Sequence, residues 1–437
     1  MNLPKVLIVG QSFDKTGGGG ITLSNLFRGW PKDRLAVASN VNLRNNTDFS
    51  ICNTYYQLGY NGKLHPFPLN IFLTKIKCGI ITLDNQALND KKNNKSGKSN
   101  NFKKIYSFLV SFLNFFGIYN FFYKLEITQD FKEWVTAYNP DIIYSQLSTL
   151  ELIRFVNNLQ ILLKKPIAIH IMDDWPSKIG QNGLFNFYWK RISRKEFQHL
   201  LDKSSVLMSI SGAMSEEYKK RYNKVFIPFH NPIEIDKWLP YARNKWEKND
   251  IFNILYTGRI GIANGKSITI MANAIDSINS KKIKMKLDIF SPDMNSKKAT
   301  SMNNLRGVEL KSTIPHSLMP GLLANYDLLF LPLDFDNAGI IFSQFSMPTK
   351  VSEYMISGTP IFVFADKQTA LAKYALKDNW AYVVSVNKKE ALIKGLFELY
   401  SNSTLRKTLS EKAKEMAIQN EDADIVKENF RKSFILN

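Results

Sequence analysis

Short apolar runs with no polar break set the strongest limit on what this chain can become. KVLIVG at Lys5–Gly10, PIAIHIM at Pro166–Met172 and IFVFA from Ile361 are each only a few residues long and apolar at successive positions. A half-wet strand would alternate and an amphipathic helix would break every third or fourth residue, so an unbroken run fits a strand covered on both faces. Leu35–Ser39, Pro140–Tyr144, Ser204–Ser209, Ile251–Tyr256, Leu287–Phe290, Gly307–Leu310, Asp327–Pro332 and Ala381–Ser385 read as further strands. Helical periods lie between or after them, at Leu150–Leu163, beyond the capping Ser211, and over Lys388–Tyr400, Thr404–Ile418 and Asp422–Ser433. Strand alternating with helix is the pattern of a parallel α/β sheet, and such sheets take ligands past the carboxyl ends of their strands. At 437 residues the chain is long for one core, so two domains are expected, with the charged stretch Tyr241–Asp250 as the linker.

Charge narrows the partners. Lysine and arginine number 58 against 38 acids, a net charge of +20. That excess suits phosphorylated substrates, an anionic membrane surface or nucleic acid. Residues 91–104 hold six lysines and no acid, a composition that cannot bury a core and reads as a loop. Ile105–Tyr123 follows without a charge, and its polar residues recur every three to four positions, as on a helix with a narrow polar stripe. It is barely long enough to span a bilayer. Two readings stand for it: a core helix under a solvated loop, or a peripheral dock on an anionic leaflet. Cys52 and Cys78 are the only cysteines and no signal peptide is visible, which fits a reducing cytosol. The histidines at 65, 170, 199, 230 and 316 lack metal-ligand spacing, and no nucleophile elbow, dinucleotide fingerprint, Walker lysine or nucleic-acid motif is present. No metal and no cofactor is expected, and nucleic acid is not an expected partner.

Four stretches carry chemistry. In SMPTKVSEYMISGTPIFVF, Ser346–Phe364, Pro348 suits a first helical turn, and Val351, Tyr354 and Met355 make one apolar face. Lys350 and Glu353 share another face, and Gly358 with Pro360 ends the helix. A cation and a carboxylate at a helix start suit an anionic, polyhydroxylated ligand. After Lys5–Gly10 comes QSFDKTGGGG and then a helix, the layout in which Gly18 and Gly19 can approach a phosphate. TGRIGIANGKSI follows the first strand of the second half and places Arg259 and Lys266 beside a strand end, where a diphosphate leaving group needs cations. His170, Asp173, Asp174 and Trp175 end PIAIHIMDDWP and are acceptor-side candidates. As bare residues, each of these also has a plain structural reading: a solvated helical pair, a flexible glycine turn, surface cations, a hydrogen-bonded core histidine.

Pro348, Lys350, Glu353, Tyr354, Met355, Gly358 and Pro360 reproduce, in order and spacing, a string found in many retaining GT-B glycosyltransferases, and the chain resembles their fourth sequence family. In that family's better-known form a second glutamate lies eight positions earlier; here Phe345 stands there. Asn231–Pro232, Gly258–Arg259 and Asp327–Pro332 resemble further family strings. The resemblance implies two Rossmann-like domains with a cleft between them: an acceptor-side domain at 1–238, a donor-binding domain at 239–415, and a C-terminal helix at 416–437 crossing back to the first. It implies sugar transfer from a UDP- or GDP-linked donor to a glycan or lipid-linked hydroxyl, with retention, in cell-surface polysaccharide or glycolipid assembly, in the cytoplasm or peripherally on the inner face of the membrane. Gly18, Gly19, Gly258, Arg259, Lys266, Ser346, Lys350 and Glu353 would bind the donor. Arg259 and Lys266 would also serve catalysis, with His170 and Asp174 on the acceptor side. Asp334–Phe345 would be a loop over the nucleotide. A nucleotide-sugar epimerase or hydrolase of the same fold, and a non-catalytic basic binding protein, are the alternatives.

Overall fold

The computed structural model describes residues 3–14, 18–41, 43, 47–59, 63–64, 78–81, 107–109, 111–113, 115–116, 124–177, 183–248, 250–280 and 284–435. The expected lysine-rich loop, and much of the expected helix after it, lie outside these residues. Two compact units result, Met1–Phe229 with Lys427–Asn437, and His230–Val426.

In the first unit the strands are β1 (Val6–Gly10), β2 (Leu35–Ser39), β3 (Thr54–Gln57), β4 (Lys63–Leu64), β5 (Gly79–Ile81), β6 (Lys124–Leu125), β7 (Ile142–Ser145), β8 (Ile167–Ile171), β9 (Val206–Ser209) and β10 (Ile227–Pro228). The helices α1 (Gly18–Phe27), α2 (Gln129–Tyr138), α3 (Leu150–Leu163), α4 (Asn186–Lys203) and α5 (Gly212–Tyr222) connect them. Eight strands form one sheet in the order β10-β9-β8-β7-β1-β2-β3-β5. All its pairings are parallel except β5, which runs antiparallel to β3 at the edge. β4 and β6 make a separate antiparallel pair. The apolar runs are buried at every position, as a sheet covered on both faces requires. Thr128, Thr149 and Ser211 cap the helices that follow them, each accepting from the third backbone N–H on.

The second unit holds β11 (Phe252–Thr257), β12 (Met285–Phe290), β13 (Val308–Lys311), β14 (Leu328–Pro332), β15 (Ile361–Phe364) and β16 (Tyr382–Val384). They form a parallel sheet in the order β13-β12-β11-β14-β15-β16. Counted within the unit this is 3-2-1-4-5-6, the doubly wound order, whose direction reverses between β11 and β14. Its main helices are α6 (Gly265–Asn279), α7 (Asn337–Ser343), α8 (Val351–Ile356), α9 (Ala370–Asp378), α10 (Lys389–Ser401) and α11 (Ser403–Asn420), with α12 (Ala423–Lys432) running on into the residues of the first unit. Successive side chains of each strand feed opposite cores. Leu255, Leu329, Leu331, Ile361 and Val363 enter one, and Ile254, Tyr256, Phe330, Phe362 and Phe364 the other.

The division at Phe229 lies upstream of the expected boundary at 238, and the segment from 416 to Val426 stays with the second unit. The expected linker is tied down there: Arg243 reaches the carboxylate of Asp327 at 2.9 Å and the carbonyl of Tyr326, and its backbone N–H donates to Ser357 O at 2.8 Å. The end of the chain is held in the first unit by aromatic packing, with Phe430 edge-on to Phe27 at 5.0 Å and Phe434 beside Trp30 at 5.4 Å.

Candidate active site

At the carboxyl end of β11 the chain turns at Gly258, whose φ of 131° a side chain would strain. Lys350, immediately before α8, projects to this turn. Its ammonium donates to Thr257 O and lies 4.5 Å from the centre of the Tyr256 ring. A Cβ on Gly258 would collide with that ammonium, so the glycine is required by space as well as by φ. Desolvation pushes the Lys350 ammonium down to about 8; Glu353, one turn on, works the other way. Tyr354 completes the attachment, its hydroxyl accepting from Thr257 N at 3.0 Å.

The loop after Gly258 is folded on itself. Asn264 donates to the Tyr256 hydroxyl at 2.8 Å and to Arg259 O at 3.1 Å, and accepts from Gly261 N at 2.9 Å. Arg259 is exposed, one residue from the Lys350 contact. Asp334, just past β14, is buried and accepts from the backbone N–H groups of Lys266 at 3.1 Å and Ser267 at 2.7 Å. A carboxylate of the protein thus already occupies the first turn of α6. An incoming anion would therefore be held here by side-chain cations, rather than by helix N–H groups. Lys266 is exposed and pairs with Asp336 at 2.7 Å, which holds its ammonium above the usual range. Lys298 lies against Gly265, a cation that has no motif in the sequence to announce it. These groups flank the reversal between β11 and β14, where doubly wound sheets bind ligands.

Residues 251–402 match the family model of glycosyl transferases group 1. The matched stretch runs from β11 to α10 of the second unit. A comparison with curated protein sequences finds no match. Among solved structures, HepE of Anabaena, determined with UDP and glucose, has a TM-score of 0.59 at 13% identity, covering 98% of this chain and 99% of that one. Sucrose-phosphate synthase of Thermosynechococcus elongatus has a TM-score of 0.61 at 11% identity, with 98% of each chain covered. WaaG, a glycosyltransferase involved in lipopolysaccharide biosynthesis, has a TM-score of 0.55 at 13% identity, covering 99% of this chain and 100% of that one. These likenesses over nearly the whole of each chain show the GT-B fold.

Within the second unit, Lys350 and Glu353 are not a solvated pair. Glu353 is half-buried and meets His316 Nε2 at 3.0 Å, and the His316 ring stands edge-on to Trp238. His316 lies 37 residues upstream of Glu353, and its type and spacing gave no sign of this contact. The helix begins at Val351 rather than at Pro348, which forms the preceding turn through a Val351 N–Pro348 O hydrogen bond of 3.1 Å. The expected loop at 334–345 contains α7, because Asp336 caps it by accepting from Gly339 N at 3.0 Å. Ser346 donates to Phe342 O at 3.2 Å, and Phe345 is buried.

The candidates in the first unit are placed differently. α1 begins at Gly18, and Gly19 stands near the Gln146 side chain, at the reversal between β1 and β7. His170 is fully buried, and burial pushes it down to about 4. The neutral ring donates from Nε2 to Phe229 O at 3.1 Å and accepts at Nδ1 from the Tyr144 hydroxyl at 2.8 Å. Asp174 is buried and accepts from Tyr218 at 2.9 Å, from Arg221 at 2.9 and 3.0 Å, and from Ser177 at 2.8 Å. Its two oxygens bind strand end, turn and α5 together, so both residues of the acceptor-side pair are engaged in holding the fold. Among the described residues no group of His, Cys, Asp or Glu is placed to hold a metal ion.

Gly258→Ala should destabilise the protein by about 1–3 kcal/mol in urea unfolding, from backbone strain and the displaced Lys350. An unchanged midpoint and slope would show that Lys350 does not occupy that space.

Proposed function

We propose that this protein transfers a glycosyl unit from a nucleoside-diphosphate sugar, UDP- or GDP-linked, to a hydroxyl acceptor with retention of anomeric configuration. The observation that carries this reading is the Lys350 ammonium held against Gly258 at the sheet reversal, one residue from the exposed Arg259. Nucleotide-sugar chemistry is supported by HepE, which was solved with UDP and glucose and separately with UDP-glucose. In the transfer, the bond from the anomeric carbon to the donor phosphate breaks and its electron pair stays on the phosphate oxygen. The acceptor oxygen bonds to that carbon, and its proton passes to the leaving phosphate. Arg259 and Lys266 neutralise the departing diphosphate, Lys266 exchanging its Asp336 partner for phosphate, and Lys350 assists from beneath the turn. Glu353 accepts the ribose hydroxyls, and Ser346, Gly258, Gly18 and Gly19 line the donor's path. His170 and Asp174 support the acceptor side by position. WaaG's part in lipopolysaccharide biosynthesis supports a role in cell-surface polysaccharide or glycolipid assembly. An acceptor of that kind places the enzyme at the inner face of the membrane. No cofactor beyond the co-substrate is needed by this scheme.

NMR of the product formed from an α-linked donor should show an α-linked glycoside; a β-linked product, a free sugar or an epimerised donor would replace this reading. Arg259→Ala and Lys266→Ala should each weaken nucleoside-diphosphate binding by about 1.5–3 kcal/mol in calorimetry, as for a lost charge-assisted hydrogen bond, and unaltered affinity in both would remove them from the site. Because Lys350 is cationic below about 8 and neutral above it, the diphosphate affinity should fall as pH rises through that value. Lys350→Gln should abolish the bend; a bend that persists in that variant belongs to another group.

A further inference from the structure

The first unit exposes large apolar side chains on two segments that a hydrogen bond joins. Phe108 is 72% exposed and Phe112 48% in the first segment. Leu184 is 64% exposed and Phe187 79% in the second. Leu184 N donates to Phe115 O at 2.7 Å, so the two segments are adjacent. The second segment opens α4, whose inward side is fixed by Trp189, Ser193 and Phe197, all buried. That register turns Phe187, Tyr188, Arg191 and Arg194 outward, with Phe187, Arg191 and Arg194 on one face at i, i+4 and i+7. From Gly183 to Lys195 there are four cations and no acid. Single exposed apolar residues are ordinary, but exposed aromatic side chains on two adjacent segments beside a basic stretch mark an interaction surface.

We propose that this face docks the protein on an anionic membrane, with the rings seated at the headgroup level and Arg191 and Arg194 against lipid phosphates. Charge decides the occupant: the net charge of +20 and the acid-free stretch from Gly183 to Lys195 complement an anionic leaflet and oppose a second copy of this chain. Aromatic rings with cations on one face are the composition that lies in a membrane interface. Among the described residues no helix is long and apolar enough to cross a membrane, so attachment through them is peripheral. The inference gives a surface to the membrane-side acceptor proposed above and rests on that reading for its purpose, while its test does not need transfer activity.

The full-length protein is floated with vesicles of phosphatidylglycerol and phosphatidylcholine, and with phosphatidylcholine alone. It should rise with the anionic vesicles at low salt, rise much less at high salt, and stay below with the neutral ones. R191Q/R194Q should weaken the partition roughly thirtyfold, from the loss of two cations near the surface. F187S/Y188S should weaken it by about tenfold or more. Both variants should keep the wild-type circular dichroism and UDP affinity. Failure to rise with anionic vesicles at low salt, or full binding by F187S/Y188S, overturns the proposal. So does a concentration-dependent dimer in sedimentation that F187S/Y188S abolishes, since the face would then cover a second copy. Vesicle binding by a wild-type protein that binds no nucleoside diphosphate would leave the dock standing and remove the transfer reading.

Discussion

The contact between the Lys350 ammonium and the carboxyl end of β11 is what the anion-facing edge of the second unit depends on. It fixes the start of α8 against the sheet, demands a glycine at 258, and sets a cation beneath the loop that carries Arg259. Tyr354 repeats the attachment one turn later through Thr257. Because the ammonium faces a carbonyl and an aromatic ring, and Glu353 offsets only part of the cost of its burial, its hold on the proton is lowered to about 8. In the proposed transfer, a donor phosphate beside Lys350 would offset that cost.

The buried strands were legible because a run such as IFVF has only one comfortable environment, covered on both faces, and all four of its residues are buried. Helix boundaries were legible at Ser211 and Gly358, the latter with a φ of 71° and the backbone of Arg243 packed where a side chain would go, whereas α9, capped by the Thr369 hydroxyl, was not. Two short strands towards one edge of the first sheet were not: β3 and β5 lie in an irregular, aromatic-rich stretch, and only their pairing with each other and with β2 defines them. α4 escaped notice because its buried positions are spaced among lysines and arginines that turn outward.

The candidate site divides along the same line. Lys350, Glu353, Arg259 and Lys266 could be picked out because their spacing from nearby glycines and a proline resembles known family strings. What each side chain touches could not. Asp334 on the α6 N–H groups, His316 on Glu353 and Lys298 beside Gly265 are contacts between elements remote in sequence. His170 and Asp174 show the same limit from the other side. A histidine and two acids at a strand end look exposed to a ligand in sequence, yet the ring and the second carboxylate are consumed by Tyr144, Phe229, Tyr218 and Arg221.

Asp334 has a wider consequence. By filling the main-chain donors of Lys266 and Ser267 at the head of α6, it leaves side chains as the groups this edge offers to solvent. Arg259, Lys266 and Lys298 are all exposed and none belongs to the cores on either side of the sheet, so any of them can be exchanged without re-solving the packing. The proposed anion contacts can therefore be altered by surface substitution alone, with the buried frame beneath left as it is.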